Sequence, residues 1–222
     1  MSDALRVADP GGGRVSSPTG SQSDPATIVL ASGNAHKLAE IQAILAAGNL
    51  DVRLVSMQEF AVPSPVEDGD TFEANALIKA RACVEATGLA AIADDSGLEV
   101  DALGGAPGVY SARYAGEQGD DDANNAKLVA DLVGVSDRTA RFVCAAALVL
   151  ADGTERVQRG TMEGVVIDTP RGQQGFGYDP YFVSDAGDGR TNAELSPAEK
   201  DASSHRGAAF RALIDDVRGL LG

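Results

Sequence analysis

Histidine and cysteine are nearly absent from the sequence, with two of each in 222 residues. His36, His205, Cys83 and Cys144 are too scattered for a zinc cluster, which needs Cys and His at close, repeated spacings. Two cysteines, each inside an apolar or helical run, also exclude a disulfide framework and read as buried thiols of a reducing compartment. Basic residues are scarce beside acidic ones: 18 Lys and Arg against 33 Asp and Glu, a net charge of −15. Such a surface repels a polyphosphate backbone and argues against a nucleic acid polymer as partner. A small anion stays open, because a few convergent cations reverse the field locally. No uncharged apolar run reaches the roughly 18 residues of a membrane span, and the N-terminus has no signal-type apolar core. The protein is therefore expected in the cytoplasm, off the membrane.

Hydrophobic residues make up 44% of the chain, enough at this length for one domain with a substantial core and room for two lobes. Residues 1–25, rich in Gly, Ser, Pro and Asp and without an aromatic, cannot offset their ordering entropy by burial. They read as a flexible extension outside catalysis. Residues 26–222 read as the folded domain. "ATIVLAS" is a short buried strand, and Leu38, Ile41 and Leu45 then recur at helical spacing up to Gly48. "VRLVSM" reads as a second strand. "DTFEANALIKARACVEATG" is a helix capped by Asp70 or Thr71 and ended by Gly88. "LAAIADDSGLEVDAL" reads as strand, tight turn, strand. Residues 120–133 read as helical, and two long β-rich runs flank Asp152-Gly153 as a hairpin. Phe210, Leu213, Ile214, Val217 and Leu221 mark a closing amphipathic helix. The sum is an α/β protein with a mixed, elongated central sheet flanked by helices; a purely parallel doubly wound sheet fits less well.

Several stretches could carry chemistry. In "LASGNAHKLAEIQ" a strand delivers the chain to Ser32-Gly33-Asn34, glycine allows close backbone approach, and the next helix offers unpaired N–H groups. Lys37, in that helix's first turn, could reach a phosphate; ordinary Ser or Asn capping with a solvated lysine explains the same letters. In "IADDSGLEVD" two aspartates end an apolar strand. Extended residues alternate faces, so Asp94 and Asp95 should not share one ligand side by side, and neighbouring carboxylates repel unless a cation is close. A plain Asp-Asp-Ser-Gly turn is the bland alternative. If a metal binds, oxygen ligands imply Mg²⁺ or Mn²⁺, and Glu67 in "VEDGDTFE" is a possible second ligand.

Asn75 and Lys79 share one face of the second helix. "GFGYDP" either presents Phe176 to a flat ligand or uses its aromatics to plug the core. His205-Arg206 falls in the first turn of the last helix, after Ser203 or Ser204 as cap, where arginine opposes the helix dipole. A local rule broken without visible gain hints at function, and a guanidinium could donate to a carbonyl on a base edge. Lys200 lies just upstream.

In this order, "SGNAHK", "TFEANALIKAR", "ADDSGLEVDALGGAPGVYSARYAG", "GFGYDP" and "SHRG" closely resemble the inosine triphosphate pyrophosphatase family, over essentially residues 27–220. The resemblance implies hydrolysis of non-standard purine nucleoside triphosphates between the α and β phosphates. It also implies a Mg²⁺ requirement, a homodimer, and a two-lobed fold with the active site in the cleft. Carried over by motif, Ser32, Gly33, Asn34, Ala35, His36 and Lys37 would hold the triphosphate with help from Lys79. Asp95 would be metal ligand and general base, Glu67 a second metal ligand, and Ser96 a nucleotide contact. Phe176, Gly177, Tyr178 and Asp179 would surround base and sugar, with Lys200, His205 and Arg206 at the base edge. One departure stands out: Ala74 precedes Asn75 where the family usually has Glu, and the nearest acids are Glu73 and Asp70. The alternatives are a pyrophosphatase for modified pyrimidine triphosphates and a nucleotide-binding sensor without turnover.

Overall fold

The computed structural model describes residues 25–221. All of the extension assigned to residues 1–25, save Pro25, lies outside the described residues, as do the side chains of His36 and Leu221. In chain order the elements are β1 (Ala26–Leu30), α1 (Ala35–Ala47), β2 (Val52–Ser56), α2 (Phe72–Thr87) and β3 (Ala90–Val100). Then come α3 (Asp121–Asp131), β4 (Thr139–Val149), β5 (Glu155–Val166), β6 (Phe182–Ser184), α4 (Pro197–Ser203) and α5 (His205–Leu221). Local chemistry sets several boundaries. The Thr71 hydroxyl accepts from Ala74 N to start α2, and Gly88 ends it in the left-handed region at φ 68°. Asp120 caps α3, and Gly153 at φ 86° turns the β4–β5 hairpin.

One mixed sheet runs in the order β2-β1-β3-β4-β5-β6. β2, β1 and β3 are parallel, and β3, β4, β5 and β6 are antiparallel. β3, β4 and β5 are 11, 11 and 12 residues long, about 35 Å each at a typical strand rise, which gives the sheet its elongated form. α1 and α5 cover one face over Ile28, Leu30, Ile92, Ala146 and Leu148. α2 covers the other face over Val29, Ala91, Ala93, Val143 and Ala145. A third cluster, with Leu98, Leu128, Phe142 and Phe182, fills the far end of the long strands and forms the second lobe.

One expectation is corrected. The stretch "LAAIADDSGLEVDAL" does not turn at Ser96-Gly97; it is one continuous strand, paired residue by residue with β4 from Ala91↔Val149 to Val100↔Ala140. Gly97 serves close packing instead, since a Cβ there would sit 2.4 Å from Ser111 Oγ and 2.5 Å from Gly108 O. The closing helix begins at His205 as expected, and a separate short helix precedes it. α4 opens on a Ser196/Glu199 capping box, and α5 restarts after Ser204, whose hydroxyl accepts from Gly207 N at 2.9 Å.

α5 meets the sheet at Gly160 on β5, where a Cβ would lie 2.2 Å from His205 O and 2.5 Å from Ala209 N, both backbone. Gly160→Ala should therefore push the first turn of α5 off the sheet and cost roughly 1–3 kcal/mol. Urea denaturation measures this; an unchanged midpoint would show that the contact is not limiting.

Candidate active site

β1 ends level with Ile92: Ala31 N donates to Ile92 O at 2.8 Å, and the β1–β3 register stops at Leu30↔Ile92. β3 continues past it, so a notch opens beside Asp94-Asp95-Ser96, at the carboxyl ends of two parallel strands and the start of α1. That is the place where open α/β sheets bind ligands. Alternation along β3 sends the two aspartates to opposite faces.

Asp94 faces α1 and α5 with 1% of its side chain exposed. Lys37 Nζ donates to both of its oxygens at 3.0 Å, and Arg206 Nε to Oδ2 at 3.2 Å. Arg206 also donates from Nη1 to Glu40 Oε2 at 2.9 Å. Burial opposes ionisation of Asp94, but Lys37, Arg206 and Lys79 outweigh it and hold its carboxyl far below the usual range. Removing one partner of such a buried pair costs about 3–5 kcal/mol. This answers why arginine stands in the first turn of α5: its charge is neutralised by a buried carboxylate, not by the helix.

On the α2 face, Lys79 Nζ bridges Glu67 Oε2 and Asp95 Oδ1, both at 2.8 Å, and Asn75 Nδ2 donates to Asp95 Oδ2 at 3.3 Å. Burial raises the Asp95 pKa, and Glu67 adds to the rise while Lys79 opposes it. For Lys79, burial works against the charge but Asp95 and Asp94 outweigh it, so its pKa rises. Glu73 is taken up elsewhere, accepting from Arg159 Nη1 at 3.0 Å.

A cavity of about 640 Å³ lies between the lobes on the α1/α5 face, within the usual range of small-ligand sites. Lys37, Ser96, Phe176, Lys200, His205 and Arg206 are among its lining residues. The loop after β5 divides its aromatics. Phe176 is 63% exposed, whereas Tyr178 is buried with its hydroxyl donating to Ser111 O at 2.8 Å. The plugging role thus falls to Tyr178 and the presenting role to Phe176. Asp179 is buried and internal: it accepts from Lys200 Nζ at 2.5 Å, Phe176 N at 2.9 Å and Asn192 Nδ2 at 3.2 Å. Lys200 Nζ also sits 4.9 Å from the Phe176 ring centre. His205 is buried, stacked on Phe142 at 5.0 Å, and its Nδ1 has no partner. Burial, then Arg206 and Lys200, push its pKa well below the ordinary histidine value, so it is neutral at pH 7.

At the start of α1 the capping chemistry is present, but the lysine is paired with a carboxylate and not solvated. Asn34 Oδ1 accepts from Lys37 N at 3.3 Å as a cap, while the lysine side chain reaches the buried Asp94. Ser32 Oγ accepts from Asn34 N at 3.1 Å. A Cβ on Gly33 would meet the Gln58 side chain first. Ala35 opens α1. The structure brings Lys37 and Arg206 together on Asp94, and Lys79, Glu67 and Asp95 together on the opposite face. It does not gather Lys37, Arg206 and Asp95 on one wall. Among the described residues, no group of three or more His, Cys, Asp and Glu is arranged to hold a metal, and no helix is long and apolar enough to cross a membrane. Sequence reasoning missed the anchoring roles of Glu40 and Asn192, and for Asp94 it gave the need of a nearby cation without naming Lys37 and Arg206. Glu40 had a local signal, three residues after Lys37 on one helix face.

Residues 28–216 match the model of the Ham1 family. The chain is 52% identical over 198 residues to a dITP/XTP pyrophosphatase of Streptomyces coelicolor, covering 88% of this chain and 98% of that one. It is 55% identical over 197 residues to a dITP/XTP pyrophosphatase of Mycolicibacterium paratuberculosis, covering 87% and 96%. Among solved structures, a HAM1 protein from Coxiella burnetii superposes with a TM-score of 0.82 at 44% identity, over 87% of this chain and 99% of that one.

A histidine held neutral by burial lowers stability once acid protonates its unfolded counterpart, so the loss begins as pH falls through about 6.5. Between pH 7.5 and 5.5 this is about 1 kcal/mol. Denaturation of the wild type and His205→Gln at both pH values checks it: the variant should lose less, and equal losses would contradict the assignment.

Proposed function

The chain belongs to the Ham1 family, and on that premise we propose that it hydrolyses non-standard purine nucleoside triphosphates, those of inosine, deoxyinosine and xanthosine. The products are the monophosphate and pyrophosphate, and the effect is to cleanse the nucleotide pool. The observation that carries the reading is the adjacency of a cavity of about 640 Å³, edged by Phe176, His205 and Arg206, to a notch flanked by Lys37, with Lys79 and Asp95 on its far side. The relatives named as dITP/XTP pyrophosphatases over nearly their whole length support it.

In this reading the base enters the cavity against Phe176 and the triphosphate lies in the notch. Lys37 at the start of α1, and Lys79 from α2, meet the phosphates from the two faces of the sheet and stabilise charge on the departing pyrophosphate. Glu67 and Asp95 would hold Mg²⁺, with Mn²⁺ as a substitute. The fit is supported by their chemistry: both are hard oxygen donors, and Lys79 lies 2.8 Å from each, so the pair already accommodates a cation. When bound, the metal neutralises triphosphate charge and helps orient water. Asp95, its pKa raised by burial and by Glu67, takes the proton from the attacking water. Glu73 is committed to Arg159, so the acid replaced by Ala74 has no stand-in there.

Specificity follows from donors at the base edge. Hypoxanthine and xanthine carry an oxygen at C6 where adenine carries an amino group. Nε and one Nη1 donor of Arg206 are taken by Asp94 and Glu40; its remaining N–H groups and the neutral His205 face the C6 oxygen. A buried donor left unpaired by adenine costs roughly 1–3 kcal/mol, and two such donors give a hundredfold discrimination or more. We assign catalysis to residues 26–222 and none to residues 1–25. A homodimer and a cytoplasmic site of action belong to the same reading, and the net charge of −15 supports a small nucleotide over a nucleic acid polymer.

Asp95→Asn should reduce pyrophosphate release from inosine triphosphate roughly a thousandfold with the circular dichroism spectrum and melting behaviour retained. Substantial residual turnover would overturn the role of Asp95. Faster release from pyrimidine triphosphates by the wild type, or binding without product, would replace the proposed activity.

A further inference from the structure

The base-facing aromatic is unusual in being exposed on a loop whose backbone is gripped from both sides. Phe176 N donates to Asp179 Oδ2 at 2.9 Å. The next residue, Gly177, is held by α3: its N–H donates to Asp121 Oδ2 at 2.7 Å, and its carbonyl accepts from Asn125 Nδ2 at 2.9 Å. Asp121 and Asn125 are four residues apart on one face of α3, and Asp120 caps that helix through Ala123 N at 2.9 Å. Gly177 sits in the left-handed region at φ 61°, one of several backbone conformations glycine visits freely, so its own residue type does not fix it. The Phe176 ring itself makes little packing, at 63% exposure, with Lys200 Nζ 4.9 Å from its centre.

We infer that Asp121 and Asn125 are positioning residues for purine binding: they clamp both polar atoms of Gly177 so that Phe176 stands ready as a stacking plate before the base arrives. The inference rests on the proposed nucleotide hydrolysis for its substrate but not for its mechanics. Their action passes through Phe176, not through any contact with the reacting phosphates. A preformed plate spares the ordering cost at the moment of binding, so the clamp acts on affinity and not on the chemical step. The same face of α3 borders the cavity through Asp121 and Asn124, and Asn124 Oδ1 accepts from Ala115 N at 2.8 Å. The clamp is thereby tied to the second lobe as well as to the loop.

Two readouts test the clamp. The chain has no tryptophan, so Phe176→Trp installs a single fluorescent reporter at the plate. Without nucleotide, adding Asp121→Ala should increase fast local depolarisation of the indole, and Asp121→Asn, which keeps an acceptor for Gly177 N–H, should restore it; unchanged anisotropy would overturn the clamp. With inosine triphosphate, Asp121→Ala should raise KM about fivefold with kcat nearly constant. In a Phe176→Ala background the same substitution should add less than about twofold. A full fivefold increase on top of Phe176→Ala would show that Asp121 does not act through the ring. Failure of the wild type to release pyrophosphate would sink the proposed activity alone, since the anisotropy is read without substrate.

Discussion

A carboxylate with almost no access to water, Asp94, gathers Lys37 from α1 and Arg206 from α5 onto the middle of β3. Left alone in that position it would be neutral or destabilising; with two cations on it, it is ionised and fixes three elements relative to one another. The arrangement explains how two cations are held side by side at one cleft. It also explains why the first turns of both α1 and α5 carry a basic residue, against the preference of a helix N-terminus. The two helices tolerate the charge because the compensating anion comes from the sheet.

The next residue along the strand does different work. Asp95 projects to the α2 face and shares Lys79 with Glu67. Because β1 stops at Leu30 while β3 runs on to Val100, the edge beside these aspartates is open, and a ligand in the gap can be addressed from both faces. The short parallel strand is thus as much a part of the site as any side chain. In the proposed reading the base-binding groups and Lys37 collect on one face, and the general base Asp95 lies on the other with Lys79 and Glu67, with the backbone of a single strand as the divider.

Much of this was legible from the residues. The period-3.6 stripe of α5, the Thr71 and Gly88 boundaries of α2 and the Asp152-Gly153 hairpin follow from local rules, and local rules suffice where a segment is decided by its own pattern. Alternation along an extended chain correctly separated Asp94 from Asp95. The turn expected at Ser96-Gly97 failed because glycine in that place answers to Ser111 and Gly108 pressing on the strand, a long-range contact that no window of sequence contains. For the same reason the anchoring partners were hidden: Arg206 meets Asp94 across 112 positions and Glu40 across 166. Phe176 and Tyr178, two apart in one motif, parted between solvent and core according to which one found Ser111.

The division of labour across β3 is the central claim, and calorimetric titration of a non-hydrolysable inosine triphosphate analogue into Asp94→Asn and Asp95→Asn tests it most directly. The two-face arrangement requires Asp94→Asn to weaken analogue binding at least tenfold, since Lys37 and Arg206 lose their shared anchor. Asp95→Asn should bind within a few fold of the wild type. Equal losses in the two variants, or tight binding by Asp94→Asn, would contradict it.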